Sequence, residues 1–182
     1  MGEIVCKAGG ASCTIVANRP KWSDVYRGYP KSGSDDLPAT EVFPAVLAAK
    51  DYDPSVFSNA CATRISLGLL EGGMLVNRAF TITNSAHKFK GKGFVASAKD
   101  LHAWLSRPTV FGPADITIPG PTTLAELQSQ IGSKNGIYMM LGGFGGGVSG
   151  HATLWIGSKK DVVGGHHYAD YPGVIHFWEL ID

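Results

Sequence analysis

The sequence predicts a single domain of the α+β class, and three observations support this prediction. The chain has 182 residues, which is close to the length of one ordinary domain. A strong helix signal lies early in the chain, and β-like runs joined by short glycine-rich turns come late. Because helix and strand signals are segregated, we expect an antiparallel sheet and not a doubly wound parallel one.

The clearest helix signal is the run SNACATRISLGLLEGG. Ser58 or Asn59 is suited to cap its N-terminus, and the closing glycine pair is suited to end it. The spacing of Cys61, Ile65 and Leu69 places these side chains on one stripe of the helix. Cys61 is therefore predicted to lie in the first helical turn.

Two more helices are predicted from capping patterns, one after Ser97-x-x-Asp100 and one after Thr123-x-x-Glu126. The segment 31–44 is rich in proline, glycine, serine and aspartate and is predicted to be connecting chain or short helical turns. The runs predicted to be strands are 94–96, 136–141, 151–156, 162–163 and 174–178.

Composition and charge exclude several classes of protein. Sixteen basic against fifteen acidic residues give a net charge of +1, which provides no general attraction to nucleic acid. No apolar run is long enough for a membrane span. The N-terminus has no basic segment followed by an apolar one, so we expect synthesis in the cytoplasm without a signal peptide.

Cys61 is the first candidate for chemistry. The unpaired amides and the positive end of a helix dipole favour a thiolate, which predicts a lowered pKa for this thiol. The alternative is a cysteine that only fills space in the core.

A thiolate nucleophile needs a base, and His151 begins a predicted strand directly after a flexible glycine-rich run. Strand alternation sends His151, Thr153 and Trp155 to one face of the sheet. The alternative is a histidine with a purely structural hydrogen bond.

A third group is needed to accept from the other ring nitrogen and to fix its tautomer. Asp161 follows His151 after a predicted turn that would return the chain beside it. His166, His167 and Asp170 are rivals for this role, and an aspartate that closes a hairpin is often only a turn residue.

The motifs Asn59-Ala60-Cys61-Ala62-Thr63-Arg64 and Gly150-His151-Ala152-Thr153-Leu154-Trp155 resemble the fourth family of type VI secretion amidase effectors. The similarity extends over about residues 22–161. It implies a papain-like, NlpC-type fold, with the cysteine helix packed on a late antiparallel sheet that carries the histidine. Arg64, one turn beyond the cysteine, is expected to support its helix by an internal salt bridge.

This resemblance implies an antibacterial toxin that is injected into the periplasm of rival cells. Its expected reaction is hydrolysis of the γ-D-glutamyl–meso-diaminopimelate bond in peptidoglycan stem peptides, with no cofactor and no metal. It implies that Cys61 is the nucleophile, His151 the base and then the acid, and Asp161 the orienting residue. A cognate immunity protein is the expected partner.

The resemblance also bears on the remaining cysteines. Residues 1–182 are interpreted as one peptidoglycan amidase domain, with residues 1–20 as an N-terminal extension. Cys6 and Cys13 are able to close a small loop in an oxidising periplasm, and the sequence leaves open whether they do.

Three alternatives remain at this stage. His151, His166, His167 and His176 suggest a metal site, but neither H-E-x-x-H nor C-x-x-C is present. The same catalytic residues also serve deamidases and acyltransferases. The third alternative is a module that binds cell wall or a protein without catalysis.

Overall fold

An antiparallel sheet with helices on both faces forms the centre of the computed structural model. The model describes residues 3–8, 11–16, 19–146 and 148–182, and for 3–8 and 11–16 it describes the backbone only. The helices within this part of the chain are α1 (Trp22–Gly28), α2 (Ala39–Val46), α3 (Cys61–Glu71), α4 (Ala98–Leu105) and α5 (Leu124–Gln130). Short 3₁₀ turns lie at Ala49–Asp51 and Val163–Gly165.

Five of the strands form the central sheet, and three two-stranded ribbons lie outside it. The ribbons pair β1 (Glu3–Ala8) with β2 (Ala11–Val16), β3 (Lys31–Ser32) with β4 (Asp35–Asp36), and β5 (Phe80–Thr81) with β6 (Gly93–Phe94). The central sheet has the order β10-β9-β8-β11-β7, and its strands are β7 (Ile116–Pro119), β8 (Gly136–Leu141), β9 (Gly150–Ile156), β10 (Asp161–Val162) and β11 (Val174–Glu179).

The two faces of the sheet bury separate apolar clusters. Ala152, Leu154 and Ile156 of β9 pack with residues of α1 to α4. Trp155 points to the opposite face, where it packs with Leu127 of α5. This alternation along β9 confirms the predicted orientation of its side chains, and it explains why every residue of the strand is buried.

Helices α1 and α3 approach so closely that side chains are excluded from their contact. A Cβ atom on Gly68 would lie 2.7 Å from the carbonyl oxygen of Val25, and one on Gly28 would lie 2.2 Å from Cβ of Glu71. Glycine is therefore required at both positions by the packing of one backbone on the other. Helix α3 ends at Gly72, and Gly73 has the left-handed φ of 83° that is common after helices.

The predicted capping patterns of the later helices are confirmed. The side chain of Ser97 accepts from the backbone N–H of Asp100, and Thr123 and Glu126 form a complete capping box. The segment predicted as connecting chain or short turns is more regular than expected, because it contains β3, β4 and most of α2. Helix α2 tolerates Pro44 inside an eight-residue helix.

The N-terminal ribbon sets Cys6 opposite Cys13 in its backbone register. The side chains of both residues lie outside the described part of the structure. Their disulfide therefore stays a prediction, as does the interpretation of residues 1–20 as an extension of a single domain.

Candidate active site

Cys61 is the first residue of α3 and is almost completely buried, with 2% of its surface exposed. The helix has Ala60 at its N-cap, which offers no side-chain acceptor. Asn59 supplies the acceptor instead, because its Oδ1 receives the backbone N–H of Cys61 at 3.0 Å. The thiol is therefore held at a helix N-terminus, as predicted.

The open edge of β9 brings the thiol next to the predicted base. Strand β10 pairs only with Trp155 and Ile156, so the first half of β9 has no neighbouring strand on that side. The backbone N–H of Ala152 lies close enough to the Cys61 thiol there to lower its pKa. Cys61 thus lies beside the residue that follows His151, and the structure brings the helix and strand motifs together.

The electrostatics of the thiol differ from the sequence-based expectation. Burial raises the pKa of Cys61, and the N–H of Ala152 and the charge of Arg64 offset this increase only in part. The expectation of a lowered pKa is wrong for this state because desolvation of the thiolate exceeds the stabilisation available at the helix start.

His151 is also buried, with 7% of its surface exposed. Burial lowers the pKa of its imidazole to about 3, and the positive charges of Arg64 and His166 add to this effect. Among the described residues, no group forms a hydrogen bond with its buried Nε2 atom. The structure therefore favours a neutral imidazole beside a neutral thiol.

Asp161 does not lie beside His151. It pairs with Ile156, five positions along β9 from His151, because the tight turn after Ile156 returns the chain at once. At about 3.3 Å per residue, this separates the two backbones by roughly 16 Å along the strand. The Asp161 carboxylate accepts from the backbone N–H of Val162 at 2.7 Å.

The three rivals of Asp161 differ in their surroundings. His166 is near enough for its charge to lower the pKa of His151. His167 is engaged elsewhere, because its Nδ1 accepts from the N–H of Ala169 at 3.1 Å. Asp170 is exposed in the following turn. His166 is therefore the rival with an electrostatic link to His151.

A buried polar network supports α3 one turn after the nucleophile. Arg64 donates to the Asp36 carboxylate at 2.9 Å and to the carbonyl of Leu37 at 2.8 Å. The hydroxyl of Tyr29 donates to the other oxygen of Asp36 at 2.6 Å and lies 3.3 Å from the Thr153 hydroxyl. Because Thr153 belongs to β9, the network links the cysteine helix to the histidine strand. The expected salt bridge of Arg64 is confirmed.

Sequence reasoning missed the partners in this network. Tyr29 follows a helix that was not predicted, and Asp36 lies in the segment that resembles a linker. No local pattern marks either residue as a neighbour of Arg64, since both contacts depend on how the chain folds back.

A cleft of about 370 Å³ borders Cys61. None of the described residues that line it is charged: they are Ser58, Asn59, Cys61, Ala96, Ser97, Ala98, Gly146, Val148, Ser149 and Gly150. Two other pockets, of about 410 and 650 Å³, lie away from this chemistry. The cleft is therefore distinguished by Cys61 and its uncharged lining and not by its size.

The described part of the chain has neither a metal-binding cluster nor a membrane-spanning helix. No group of three or more His, Cys, Asp or Glu residues there is arranged to hold a metal ion. None of the helices described is long and apolar enough to cross a bilayer.

Comparison with known proteins identifies the family. The model of the type VI secretion system (T6SS) amidase effector protein 4 family, Tae4, matches residues 57–178. This segment contains both motifs and Asp161. No protein with a curated description matches the chain in sequence.

Solved structures show the same fold. The type VI effector Tae4 from Enterobacter cloacae is 26% identical with a TM-score of 0.70, and the match covers 91% of this chain and 99% of that one. The chain matched in the Tae4–Tai4 effector-immunity complex from Enterobacter cloacae is 27% identical with a TM-score of 0.63, and the match covers 89% of this chain and 99% of that one. Tae4 from Salmonella typhimurium, in complex with the immunity protein Tai4 from Enterobacter cloacae, is 23% identical with a TM-score of 0.66. This match covers 89% of this chain and 99% of that one.

These matches confirm the predicted α+β, papain-like NlpC-type architecture, in which a helix bearing the cysteine packs on an antiparallel sheet bearing the histidine. They also confirm the prediction of an amidase. The chain belongs to the amidase effector protein 4 family of the type VI secretion system.

Proposed function

We propose that this amidase hydrolyses the γ-D-glutamyl–meso-diaminopimelate bond of peptidoglycan stem peptides, with Cys61 as nucleophile and His151 as base and then acid. One observation carries the assignment: the Cys61 thiol, at the start of α3, lies close to the backbone N–H of Ala152, the residue next to His151, and borders an open cleft. A buried cysteine that only filled space would need neither neighbour.

The reaction begins from neutral partners. Burial raises the pKa of Cys61 and lowers that of His151, so the imidazole is free to accept the thiol proton as sulfur attacks the substrate carbonyl. The tetrahedral intermediate collapses to a thioester when protonated His151 gives that proton to the departing amine. His151 then takes a proton from water, hydroxide attacks the thioester, and the proton returns to the thiolate sulfur.

The backbone N–H of Cys61 is the candidate donor to the substrate oxyanion. Asn59 Oδ1 accepts a hydrogen bond from this N–H at 3.0 Å, and Asn59 is exposed. We infer that the carbonyl oxygen of the substrate displaces or shares this bond. The Asn59 side chain thereby holds the donor in place before substrate arrives.

Two residues compete for the role that orients His151. The resemblance favours Asp161, whereas proximity to the imidazole favours His166, whose charge acts on the pKa of His151. Comparing Asp161→Asn with His166→Gln separates the two, since only the orienting residue is expected to lower kcat by more than about tenfold.

The partner and the place of action are inferred from the family. The effector structures from Enterobacter cloacae and Salmonella typhimurium include complexes with the immunity protein Tai4. We infer that a cognate immunity protein covers the cleft beside Cys61 in the producing cell. Delivery to the periplasm of a target cell places the enzyme next to its substrate.

Mass analysis of purified muropeptides tests this function. We expect cleavage between D-glutamate and diaminopimelate into two fragments. Their masses should add up to the mass of the substrate plus one water. Cys61→Ala is expected to lower the rate by at least about 10³-fold while retaining the fold, because it removes the nucleophile. A Cys61→Ala variant with wild-type activity would refute the assignment.

The same measurement separates the alternatives. A deamidase releases ammonia without cutting the peptide, and an acyltransferase joins the acyl group to an added amine. A binding module leaves the muropeptide mass unchanged.

A further inference from the structure

Tyr168 packs on the imidazole of His151, and neither motif indicates this contact. The two ring centroids are 5.0 Å apart with an interplanar angle of 69°, which is an edge-to-face arrangement. Tyr168 makes similar contacts with Phe144 at 5.2 Å and with Tyr171 at 5.4 Å, and Phe144 stacks on Tyr171 at 4.9 Å. We call Phe144, Tyr168 and Tyr171 the aromatic cluster.

The aromatic cluster connects the histidine to the edge of the cleft. Phe144 belongs to the glycine-rich segment 142–150, and Gly146, Val148 and Ser149 from the same segment line the cleft beside Cys61. One set of ring contacts therefore runs from this segment through Tyr168 to His151.

The backbone of Tyr168 has an unusual conformation. Its φ is 49°, in the left-handed region that bulky residues rarely adopt. Hydrogen bonds hold the turn on both sides: Tyr171 N–H donates to the Tyr168 carbonyl at 3.2 Å, and the Tyr138 hydroxyl donates to the His167 carbonyl at 2.6 Å. Backbone strain of this kind persists where the surroundings enforce it, and it is concentrated at functional sites.

Other groups near His151 do not restrain its ring in the same way. Arg64 of α3 and His166 beyond β10 are near enough for their charges to act on it, and Asp36 of β4 is engaged with Arg64. Within the described part of the molecule, none of them forms a hydrogen bond with the imidazole. Burial raises the pKa of Tyr168, and Tyr171 and a Cys61 thiolate would raise it further, which is consistent with a position near Cys61.

We propose that Tyr168 is a positioning residue, whose ring holds the imidazole of His151 in the orientation that faces Cys61. Phe144 and Tyr171 hold that ring in place. The role belongs to the ring and not to the hydroxyl, since the observed contact is between rings. This inference rests on the proposed roles of Cys61 and His151.

Three variants test the proposal through kcat and KM on purified muropeptides. Tyr168→Phe keeps the ring and is expected to remain within about twofold of the wild-type kcat. Tyr168→Gly removes the ring at a backbone conformation that glycine adopts freely, and we expect kcat to fall by roughly 10–100-fold with little change in KM. Lys160→Gly is the matched control, because Lys160 also has a left-handed φ, 51°, but lies in the β9–β10 turn. Its kcat is expected to be unchanged.

A second readout does not depend on activity. In the Cys61→Ala background, the ring resonances of isotope-labelled His151 are expected to shift with Tyr168→Gly and to stay near their original positions with Tyr168→Phe. If Tyr168→Gly does not fold, Phe144→Ala takes its place, because it removes the support of the Tyr168 ring and is expected to lower kcat about threefold to tenfold.

Several results would overturn the proposal. A folded Tyr168→Gly variant with wild-type kcat, or one whose His151 resonances do not move, would show that the ring is not needed. An equal loss in Tyr168→Phe would assign the role to the hydroxyl. A wild-type enzyme that leaves muropeptides intact would refute the proposed function, whereas the His151 spectra would still test the contact.

Discussion

Helix α3 and strand β9 each carry one of the proposed reacting groups, and their surroundings differ. On the helix side, Arg64 donates hydrogen bonds to three partners, and the N–H of Cys61 is bonded to Asn59. On the strand side, the described residues offer no hydrogen-bond partner to the buried Nε2 of His151. Hydrogen bonds therefore hold the start of α3, whereas ring packing is the contact described for the His151 imidazole. We infer that the helix side contributes more to stability than the strand side.

The largest effect on stability is expected on the helix side. Arg64→Met leaves the Asp36 carboxylate buried without its charged partner, which typically costs about 3–5 kcal/mol of unfolding free energy. Urea denaturation measures this loss. Arg27→Met is the control, because the ion pairs of Arg27 lie on the surface and their removal is expected to leave the midpoint nearly unchanged. A loss below about 1 kcal/mol for Arg64→Met would contradict the comparison.

A smaller effect, on catalysis, is expected from Asn59→Asp. A carboxylate still accepts the N–H of Cys61, so the start of α3 is retained, but its charge opposes the substrate oxyanion. We expect kcat to fall by roughly 10–100-fold. Thermal stability should not decrease, because a negative charge is favourable at a helix N-terminus. Asn59→Ala, which adds no charge, is expected to lower kcat less than Asn59→Asp does. Equal kcat for Asn59→Asp and wild type would argue against this N–H as the oxyanion donor.

The smallest effect on stability at neutral pH is expected on the strand side. His151→Leu is expected to abolish activity, but it also removes a buried polar atom that has no partner among the described residues, so we expect the unfolding free energy to rise by about 1 kcal/mol. Differential scanning calorimetry at pH 7 measures this gain. A loss of stability there would mean that His151 supports the fold.

The gain in unfolding free energy from His151→Leu is expected to increase at acidic pH. The unfolded histidine takes up a proton near its ordinary pKa of 6.5, whereas the folded one does so only near 3. Wild-type stability therefore falls as the pH drops through this window, and His151→Leu escapes this part of the loss. His102 and His176 also have lowered pKa values, but wild type and His151→Leu both contain them, so they do not contribute to the difference between the two proteins. If the difference in unfolding free energy between His151→Leu and wild type does not depend on pH, the assignment of a buried neutral imidazole is contradicted.

Local patterns in the sequence were sufficient for the elements that carry Cys61 and His151. Capping residues marked α4 and α5, and the glycine pair marked the end of α3, because these signals act within one helical turn. Helix α2 was less clear, since a proline inside a helix removes a backbone donor and argues against it.

Contacts between distant segments could not be predicted in the same way. The register of β10 depends on the exact length of one turn, and this length sets Asp161 opposite Ile156. The contacts of Asp36 with Arg64 and of Tyr168 with His151 join residues from separate parts of the chain. Their sequence surroundings resemble ordinary loops, so only the folded arrangement reveals them.

The tight contact between α1 and α3 also affects the chemistry. Gly68 lies about 10 Å along the helix axis from Cys61, at 1.5 Å per residue. Because the helix behaves as a rigid rod, the depth to which its far end packs against Val25 also sets the position of the Cys61 sulfur at its start. The alignment of the proposed nucleophile thus depends partly on a missing methyl group two turns away.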